Sequence, residues 1–321
     1  MATLRVYSRR VHKLDRLRAR EYVVLIVATL VWGSIHPTVK FALTELTAAQ
    51  LALARPVCAC VVLTTLTLAT GRGPRVVHEL RANAWLLLAL GVLGYAASGS
   101  LTSFALSLLP PGVTSLMTNT SPLVLVIGGL VFFRQRIGRT EIVGTLIGFV
   151  GVALLSLTDF QLSGDVRSTL LGSLLALGSA TCWATYTALA RRLGGADPIS
   201  TTAITSGVGS LVVAVIALPT QDWTLVLHAS APVLLATLWA GAVASGCTYA
   251  AWSFALKRLP AVVVAPFGYL IPVSALTISH FWLGEEVDAT ILAGGALVLL
   301  GVALTQARTF LLVLRSHTVS A

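Results

Sequence analysis

The stretch FALSLLPPGV at residues 104–113 returns as FALKRLPAVV at residues 254–263, an offset of 150 positions. The tetrapeptide GVAL also occurs twice, at 151–154 and at 301–304, with the same offset. One apolar match would be weak evidence, but ordered matches at a constant spacing indicate an internal duplication. The sequence therefore predicts two halves built on one plan.

The composition indicates that lipid is the solvent for most of the chain. Hydrophobic residues make up 56% and charged residues 11%, whereas a soluble domain has about 25% charged residues. The net charge of +10 is spread over the N-terminal segment and short connectors. A nucleic-acid groove needs basic residues grouped on one folded face, so we predict membrane lipid as a partner and no nucleic acid.

Long apolar runs divide the chain into segments that are each long enough to cross a bilayer. A helix needs about 20 mainly apolar residues for a hydrocarbon core of roughly 30 Å, and the runs lack the alternation of transmembrane strands. Each half holds five runs, and an odd number inserts the second half upside down. The predicted fold is an all-α integral membrane protein of two inverted five-helix repeats. The predicted spans, one to ten, are 22–41, 48–69, 84–107, 112–132, 140–157, 169–190, 199–218, 231–255, 261–282 and 289–306.

Basic residues are distributed unequally between the two sides of this topology. One side has 19 of the 22 Lys and Arg residues, and the other has seven of the twelve carboxylates. Connectors at equivalent positions of the two halves even carry opposite charges: FRQR at 133–136 is basic and LGEE at 283–286 is acidic. Because positive connectors stay in the cytoplasm, both termini are predicted to be cytoplasmic in a multi-pass protein of the cell inner (plasma) membrane. The 19 basic residues are Arg5, Arg9, Arg10, Lys13, Arg16, Arg18, Arg20, Arg72, Arg75, Arg81, Arg134, Arg136, Arg139, Arg191, Arg192, Lys257, Arg258, Arg308 and Arg315.

The predicted domain organisation follows these spans. The basic N-terminal segment has two interpretations: a cytosolic segment on anionic lipid, or an organelle transit peptide, which is also Arg-rich and poor in acids. A cleavable signal is disfavoured, because the first apolar run is too long and lacks a clear cleavage site. The predicted parts are a basic cytoplasmic segment at 1–20, a first repeat at 21–157, an extracytoplasmic linker at 158–168, a second repeat at 169–306 and a cytoplasmic tail at 307–321.

The cysteines and other reactive residues form no recognisable catalytic or metal-binding pattern. No CxxC pair occurs, and no His or Asp lies at ligand spacing from a cysteine. Thiols inside apolar runs behave as small hydrophobic groups. We therefore predict no catalytic residue, no metal and no cofactor. The four cysteines are Cys58, Cys60, Cys182 and Cys247.

The ordered landmarks of both halves resemble the drug/metabolite transporter superfamily, in particular its ten-helix EamA-type permeases. The sequence departs from the family pattern at FRQR, where a Gly-Glu turn is usual, and at His36–Pro37. The resemblance implies a basket of helices 1, 3, 4, 6, 8 and 9 around a cavity, helices 2 and 7 outside it, and helices 5 and 10 at the back. The landmarks are WGS followed by Lys40, LARP at 53–56, FALxxLP before each proline-bearing helix, LLALGSATCWATYTALARRL at 174–193, and LGEE followed by GVAL.

Candidate solute-binding residues come first from one face of span 1. Trp32, His36 and Lys40 have the spacing i, i+4, i+8 and share a helix face, and Pro37 should kink the helix there. Their repeat partners in span 6 are Trp183, Thr187 and Arg191. His36 either lines the cavity or bonds another helix, and Lys40 and Arg191 are expected to be interfacial anchors.

A second set lies in spans 4 and 9. Asn119 and its repeat partner Tyr269 precede Pro122 and Pro272, and two proline-broken helices meeting near the midplane suit a transporter site. Asn119 could equally make a hydrogen bond between two helices. Arg55 either faces the cavity or is a structural tether that pairs with Glu45 or with helix-end carbonyls, and the peripheral place of helix 2 favours the tether. His280 is expected to be an interfacial residue. Further candidates with weaker support are Ser98, Thr102, Tyr186 and Trp252.

The polar residues together favour a carrier of small solutes. No Asp or Glu lies in the middle of a predicted span, so a cationic solute would lack a fixed counter-charge. We predict a secondary transporter, a permease or exporter, that moves a small metabolite by alternating access: an amino acid or a related neutral, zwitterionic or anionic solute. The alternatives are an intramembrane lipid-modifying enzyme and a channel-like membrane protein; a homodimer is left open.

Overall fold

The computed structural model describes residues 21–124, 127, 138–163, 165–256 and 265–318. Throughout these residues the chain forms helices and short connections without any strand, which confirms the all-α prediction. The predicted N-terminal segment 1–20 lies outside the described residues. The main helices are labelled α1 (Glu21–Ala42), α2 (Ala48–Ala69), α3 (Gly73–Leu108), α4 (Pro111–Thr118), α5 (Arg139–Ser163), α6 (Val166–Ala190), α7 (Pro198–Ala217), α8 (Ala231–Trp252), α9 (Leu270–Leu283) and α10 (Ala289–Thr318).

The helices identify a multi-pass membrane protein. Within the described parts of the chain, α1, α2, α3, α7 and α8 are long and apolar enough to cross a bilayer, with mean hydropathies of 1.5 to 1.9. Large apolar side chains are exposed on the outside of the bundle, including Val61 on α2, Trp85 on α3 and Leu211 on α7. So much exposed apolar surface requires lipid around it. The count of ten spans and their orientation stay predictions.

Several helices continue beyond the predicted spans, because polar turns extend the apolar runs. Helix α3 begins at Gly73 rather than 84, since Pro74 is well suited to a first turn, and Asn83, with φ −132°, marks the kink before the apolar part. Helix α5 continues to Ser163 and α6 begins at Val166, so most of the linker predicted at 158–168 is helical.

Prolines interrupt α4 and α9 at equivalent positions. Helix α4 ends at Thr118, and helical structure resumes at residue 121; α9 begins at Leu270, after a 3₁₀ turn over Ala265–Tyr269. Pro122 and Pro272 have no N–H to donate to the carbonyl four residues earlier, which accounts for both breaks. Spans 112–132 and 261–282 are thus not continuous α-helices where the structure describes them; residues 125–126, 128–137 and 257–264 lie outside the described chain.

Glycines bring α5 and α10 into backbone contact. A methyl group on Gly144 would lie 2.7 Å from the carbonyl oxygen of Gly301, and one on Gly151 would lie 2.7 Å from that of Gly294. Moving along α5 from 144 to 151 therefore means moving backwards along α10, so the two helices are antiparallel. At the offset of 150, Gly144 corresponds to Gly294 and Gly151 to Gly301, so each contact is the repeat equivalent of the other.

Two π-helical segments widen the helices around the centre of the bundle. Residues Gly91–Ser98 of α3 and Trp239–Cys247 of α8 are π-helical and correspond to each other in the repeat. The first packs on α7, where a methyl group on Gly91 would lie 2.5 Å from Cβ of Val208. The second packs on α2. Since π-segments often occur at functional sites, this layer is a candidate location for the functional site.

Candidate functional site

Aromatic side chains from four helices form one contiguous group, the aromatic cluster. Trp32 of α1 is central: its ring centroid lies 5.5 Å from Trp183, 5.0 Å from Tyr249 and 5.5 Å from Trp252. Tyr249 continues the group to Tyr95 at 4.9 Å, and Trp183 stacks on Tyr186, also at 4.9 Å. The members of the aromatic cluster are Trp32, Tyr95, Trp183, Tyr186, Tyr249 and Trp252.

Local sequence positions these rings. Trp183 and Tyr186 on α6, like Tyr249 and Trp252 on α8, are three residues apart and therefore share a helix face. Gly94 leaves room for one ring, because a methyl group there would lie 2.7 Å from Cδ2 of Tyr186. All members except buried Tyr95 are half-buried. Aromatic rings that keep an accessible face can bind the apolar or aromatic part of a solute.

Arg55 of α2 lies next to the aromatic cluster, a position that suits the cavity-facing alternative for this residue. Its side chain lines a small cavity together with Tyr95, Tyr249 and Ser245. Its two terminal nitrogens donate to the hydroxyls of Ser103 and Ser245, each over 3.4 Å. The expected partner, Glu45, instead accepts bonds from the N–H and hydroxyl of Ser230. Arg55 thus lines a cavity, although the resemblance implies that helix 2 lies outside the central one.

His36 lies between α1 and α4, beyond the turn at Ser34 in α1. It is buried, and its Nε2 is 3.4 Å from the hydroxyl of Thr118. That contact suits an interhelical bond, and a role in the cavity stays a prediction. Lys40, on the same face, donates to the carbonyl oxygens of Leu106 and Leu109 at 2.8 and 3.1 Å. It neutralises the carbonyl end of α3, as cations at helix C-termini do; the side chain of Arg191 is not among those described.

Asn119 and Tyr269 occupy the two helix breaks, apart from the aromatic cluster. The side-chain amide of Asn119 donates to the carbonyl oxygen of Ser115 at 2.8 Å, within its own helix. Tyr269 packs against the core around Leu116 and Met117, and its hydroxyl is buried without a hydrogen-bond partner in the described chain. The structure does not join either residue to the aromatic rings, and their role stays a prediction.

The predicted hydroxyl residues make structural hydrogen bonds. Ser98 and Thr102 of α3 lie 2.9 and 2.8 Å from the hydroxyl of Ser179 on α6, which connects the two helices. Thr187 donates to the carbonyl oxygen of Trp183 at 2.8 Å, one turn back in α6. Such bonds satisfy hydroxyls within a membrane and hold helices together.

Sequence interpretation missed Tyr95 and Tyr249 in the aromatic cluster and favoured a tether for Arg55. An arginine inside an apolar span is itself a functional signal, which is why a cavity-facing Arg55 stayed open as an alternative. Tyr95 and Tyr249 had no such signal, because they look like ordinary apolar positions until the helices are packed.

The long helices, the apolar exterior and the aromatic cluster between the helices define a multi-pass membrane protein with a candidate solute site. The EamA-like transporter family matches the chain twice, at residues 19–157 and 170–306, and the chain belongs to this family. Its function is therefore transport rather than catalysis, and the resemblance to drug/metabolite transporters is confirmed. The two matches also support the predicted duplication.

Individual relatives cover almost the whole chain. A protein of Streptantibioticus cattleyicolor described as a probable terminal-alkyne amino-acid exporter is 27% identical over 89% of this chain and 93% of its own length. The uncharacterized transporter YvbV of Bacillus subtilis (strain 168) is 24% identical over 91% of this chain and 93% of its own length. A protein of known crystal structure superposes with a TM-score of 0.63 at 20% identity, covering 89% of this chain and 95% of that one, which shows a shared fold.

Proposed function

We propose that this protein is a secondary transporter that exports an amino acid or a related neutral, zwitterionic or anionic solute across the plasma membrane by alternating access. The aromatic cluster is the observation that carries the proposal. It combines Trp32 and Tyr95 of the first half with Trp183, Tyr186, Tyr249 and Trp252 of the second, and an alternating-access site lies at the interface of two halves. The relative described as an amino-acid exporter supports the solute class and the direction.

The proposal includes ten spans in two inverted repeats, with both termini in the cytoplasm. Support for the inversion comes from α5 and α10, which are repeat equivalents and pack antiparallel through Gly144, Gly151, Gly294 and Gly301. Support for the orientation is the excess of Lys and Arg on one side of the predicted topology.

The test is solute flux through the purified full-length chain in proteoliposomes. The liposomes are loaded with radiolabelled amino acids, and exchange with external unlabelled solute is compared with protein-free liposomes. Trp32→Ala should slow the exchange, more for bulky solutes than for small ones, because it removes the centre of the aromatic cluster. Trp85→Ala is the matched control, since that ring is 83% exposed on the outside of α3. Flux equal to protein-free liposomes, or equal losses in both variants, would contradict the proposal.

A further inference from the structure

A buried guanidinium without an anion lies at one end of the aromatic cluster. Arg55 is only 9% exposed. Among the described residues, the ion pairs are those of Arg72 and Arg75 with Asp197, and no carboxylate pairs with Arg55. Taking an unpaired ion out of water costs several kcal/mol, so buried charges in proteins normally have a counter-ion. The position therefore needs an explanation.

The two hydrogen bonds that Arg55 makes leave most of its N–H donors unused. A guanidinium has five N–H donors, and both of its hydroxyl contacts are 3.4 Å long, beyond the usual 2.7–3.2 Å. Its Nε is buried with no partner in the described chain. The hydroxyls of Ser103 and Ser245 are already donated to the carbonyl oxygens of Gly99 and Ala240, so both can only accept from Arg55.

The surrounding backbone is built to keep this side chain in place. Gly241 of α8 lies so close to α2 that a methyl group there would be 3.0 Å from the carbonyl oxygen of Arg55. Ser245 belongs to the π-helical segment of α8 and Tyr95 to that of α3. Pro56, which also lines the cavity, cannot donate to the carbonyl oxygen of Ala52. The cavity thus combines a fixed cation with walls that include Tyr95 and Tyr249. Ala52, whose carbonyl oxygen lacks its helical donor, is also among the residues that line it.

We infer that Arg55 binds the carboxylate of the transported solute, whose apolar or aromatic part packs on the aromatic cluster. This inference rests on the proposed transport function and narrows the solute to a carboxylate with an apolar substituent. A planar guanidinium matches a carboxylate with two parallel hydrogen bonds. In an α-amino acid, the ammonium group would be oriented towards the carbonyl oxygen of Ala52 or the faces of Tyr95 and Tyr249.

The test measures binding separately from transport. Thermal unfolding of the detergent-solubilised full chain is followed in the presence of L-phenylalanine, L-leucine or 3-phenylpropanoate. Each of these acids is compared with its amide, in which a carboxamide replaces the carboxylate. We expect the carboxylates to raise the melting temperature of the wild type more than the amides do. Arg55→Gln should weaken carboxylate binding roughly 30-fold or more, and Arg55→Lys should keep part of the binding because it retains the charge.

Arg81→Gln is the matched control, because it removes one positive charge from an exposed position of α3, and it should bind like the wild type. If Arg55→Gln does not fold, the wild-type comparison of acids with amides still decides. Equal stabilisation by acids and amides would overturn the inference, as would an Arg55→Gln variant that binds the acids normally. Proteoliposome flux of the carboxylates that is unchanged in Arg55→Gln would leave the transport function standing while the carboxylate site fails. Carboxylate binding without any flux would leave the carboxylate site standing while the transport function fails.

Discussion

The contact between α5 and α10 makes a quantitative prediction about Gly301. A methyl group at this position would lie 2.5 Å from the carbonyl oxygen of Gly144, 2.5 Å from the backbone nitrogen of Gly148 and 2.6 Å from its Cα. All three atoms are backbone, so no side chain can rotate away. An ordinary contact starts near 3.4 Å, and Gly301→Ala therefore has to separate the two helices by about 0.9 Å at this point.

The expected cost follows from two opposing effects. Overpacking of this type costs about 1–3 kcal/mol, whereas replacing a helical Gly by Ala stabilises the helix by up to about 1 kcal/mol. We expect Gly301→Ala to lower the free energy of unfolding by roughly 1 kcal/mol or more. For a chain of this size the melting temperature should fall by about 2 °C or more.

Gly178→Ala is the matched control for this measurement. A methyl group at Gly178 in α6 would meet only Cδ1 of Leu101, at 3.4 Å, so the variant should be as stable as the wild type or slightly more stable. Unfolding in detergent is monitored with a thiol-reactive dye, because all four cysteines are unpaired. Equal melting temperatures for Gly301→Ala and Gly178→Ala would refute the backbone contact.

Three further predictions concern the site, the topology and the loops. His36→Ala should reduce solute flux at unchanged folded yield if the imidazole lines the cavity, and His36→Gln should retain more; normal flux in His36→Ala over the full pH range removes His36 from the site. A reporter that fluoresces only in the cytoplasm should be bright at the C-terminus and dark after Asp165, and a dark C-terminus means a miscounted span. Burial disfavours the charged form of Asp197, but bonds from Ser200 and the nearby Arg72 and Arg75 outweigh it and hold the pKa of its carboxyl below the ordinary value of 3.8. Asp197→Asn keeps the helix cap but should lower the free energy of unfolding by about 0.5–1 kcal/mol near neutral pH. The difference in melting temperature from the wild type should disappear as the pH falls below 3.8. A difference that persists in acid contradicts the ionic origin.

The sequence predicted those features that depend on composition along one helix. The apolar runs locate the helices, the spacing i, i+4, i+8 in span 1 indicates Trp32, and the repeat adds its partner Trp183. Tyr186 and Trp252 have weaker support from the sequence. The polar start of α3 at Gly73 was missed, because hydropathy does not detect a helix turn made of Arg, His and Glu.

Features that depend on how helices are rotated against each other could not be predicted. Arg55 faces the cavity because Gly241 lets α8 approach the backbone of α2, and these residues are distant in sequence. The π-helical segments have no compositional signal either: Gly91–Ser98 and Trp239–Cys247 read as ordinary apolar helix. The combination of Tyr95, Tyr249 and Arg55 therefore appears only in three dimensions.

The glycine contact of α5 and α10 has the geometry of a two-fold homodimer interface inside one polypeptide. Gly144 contacts Gly301 while Gly151 contacts Gly294, the reciprocal arrangement of an isologous interface. The two surfaces are nevertheless not identical, because Gly148 of α5, which Gly301 contacts, corresponds to Val298 of α10, which Gly151 contacts. One polypeptide can change each side of this contact separately, which a dimer of two identical half-length chains could not do.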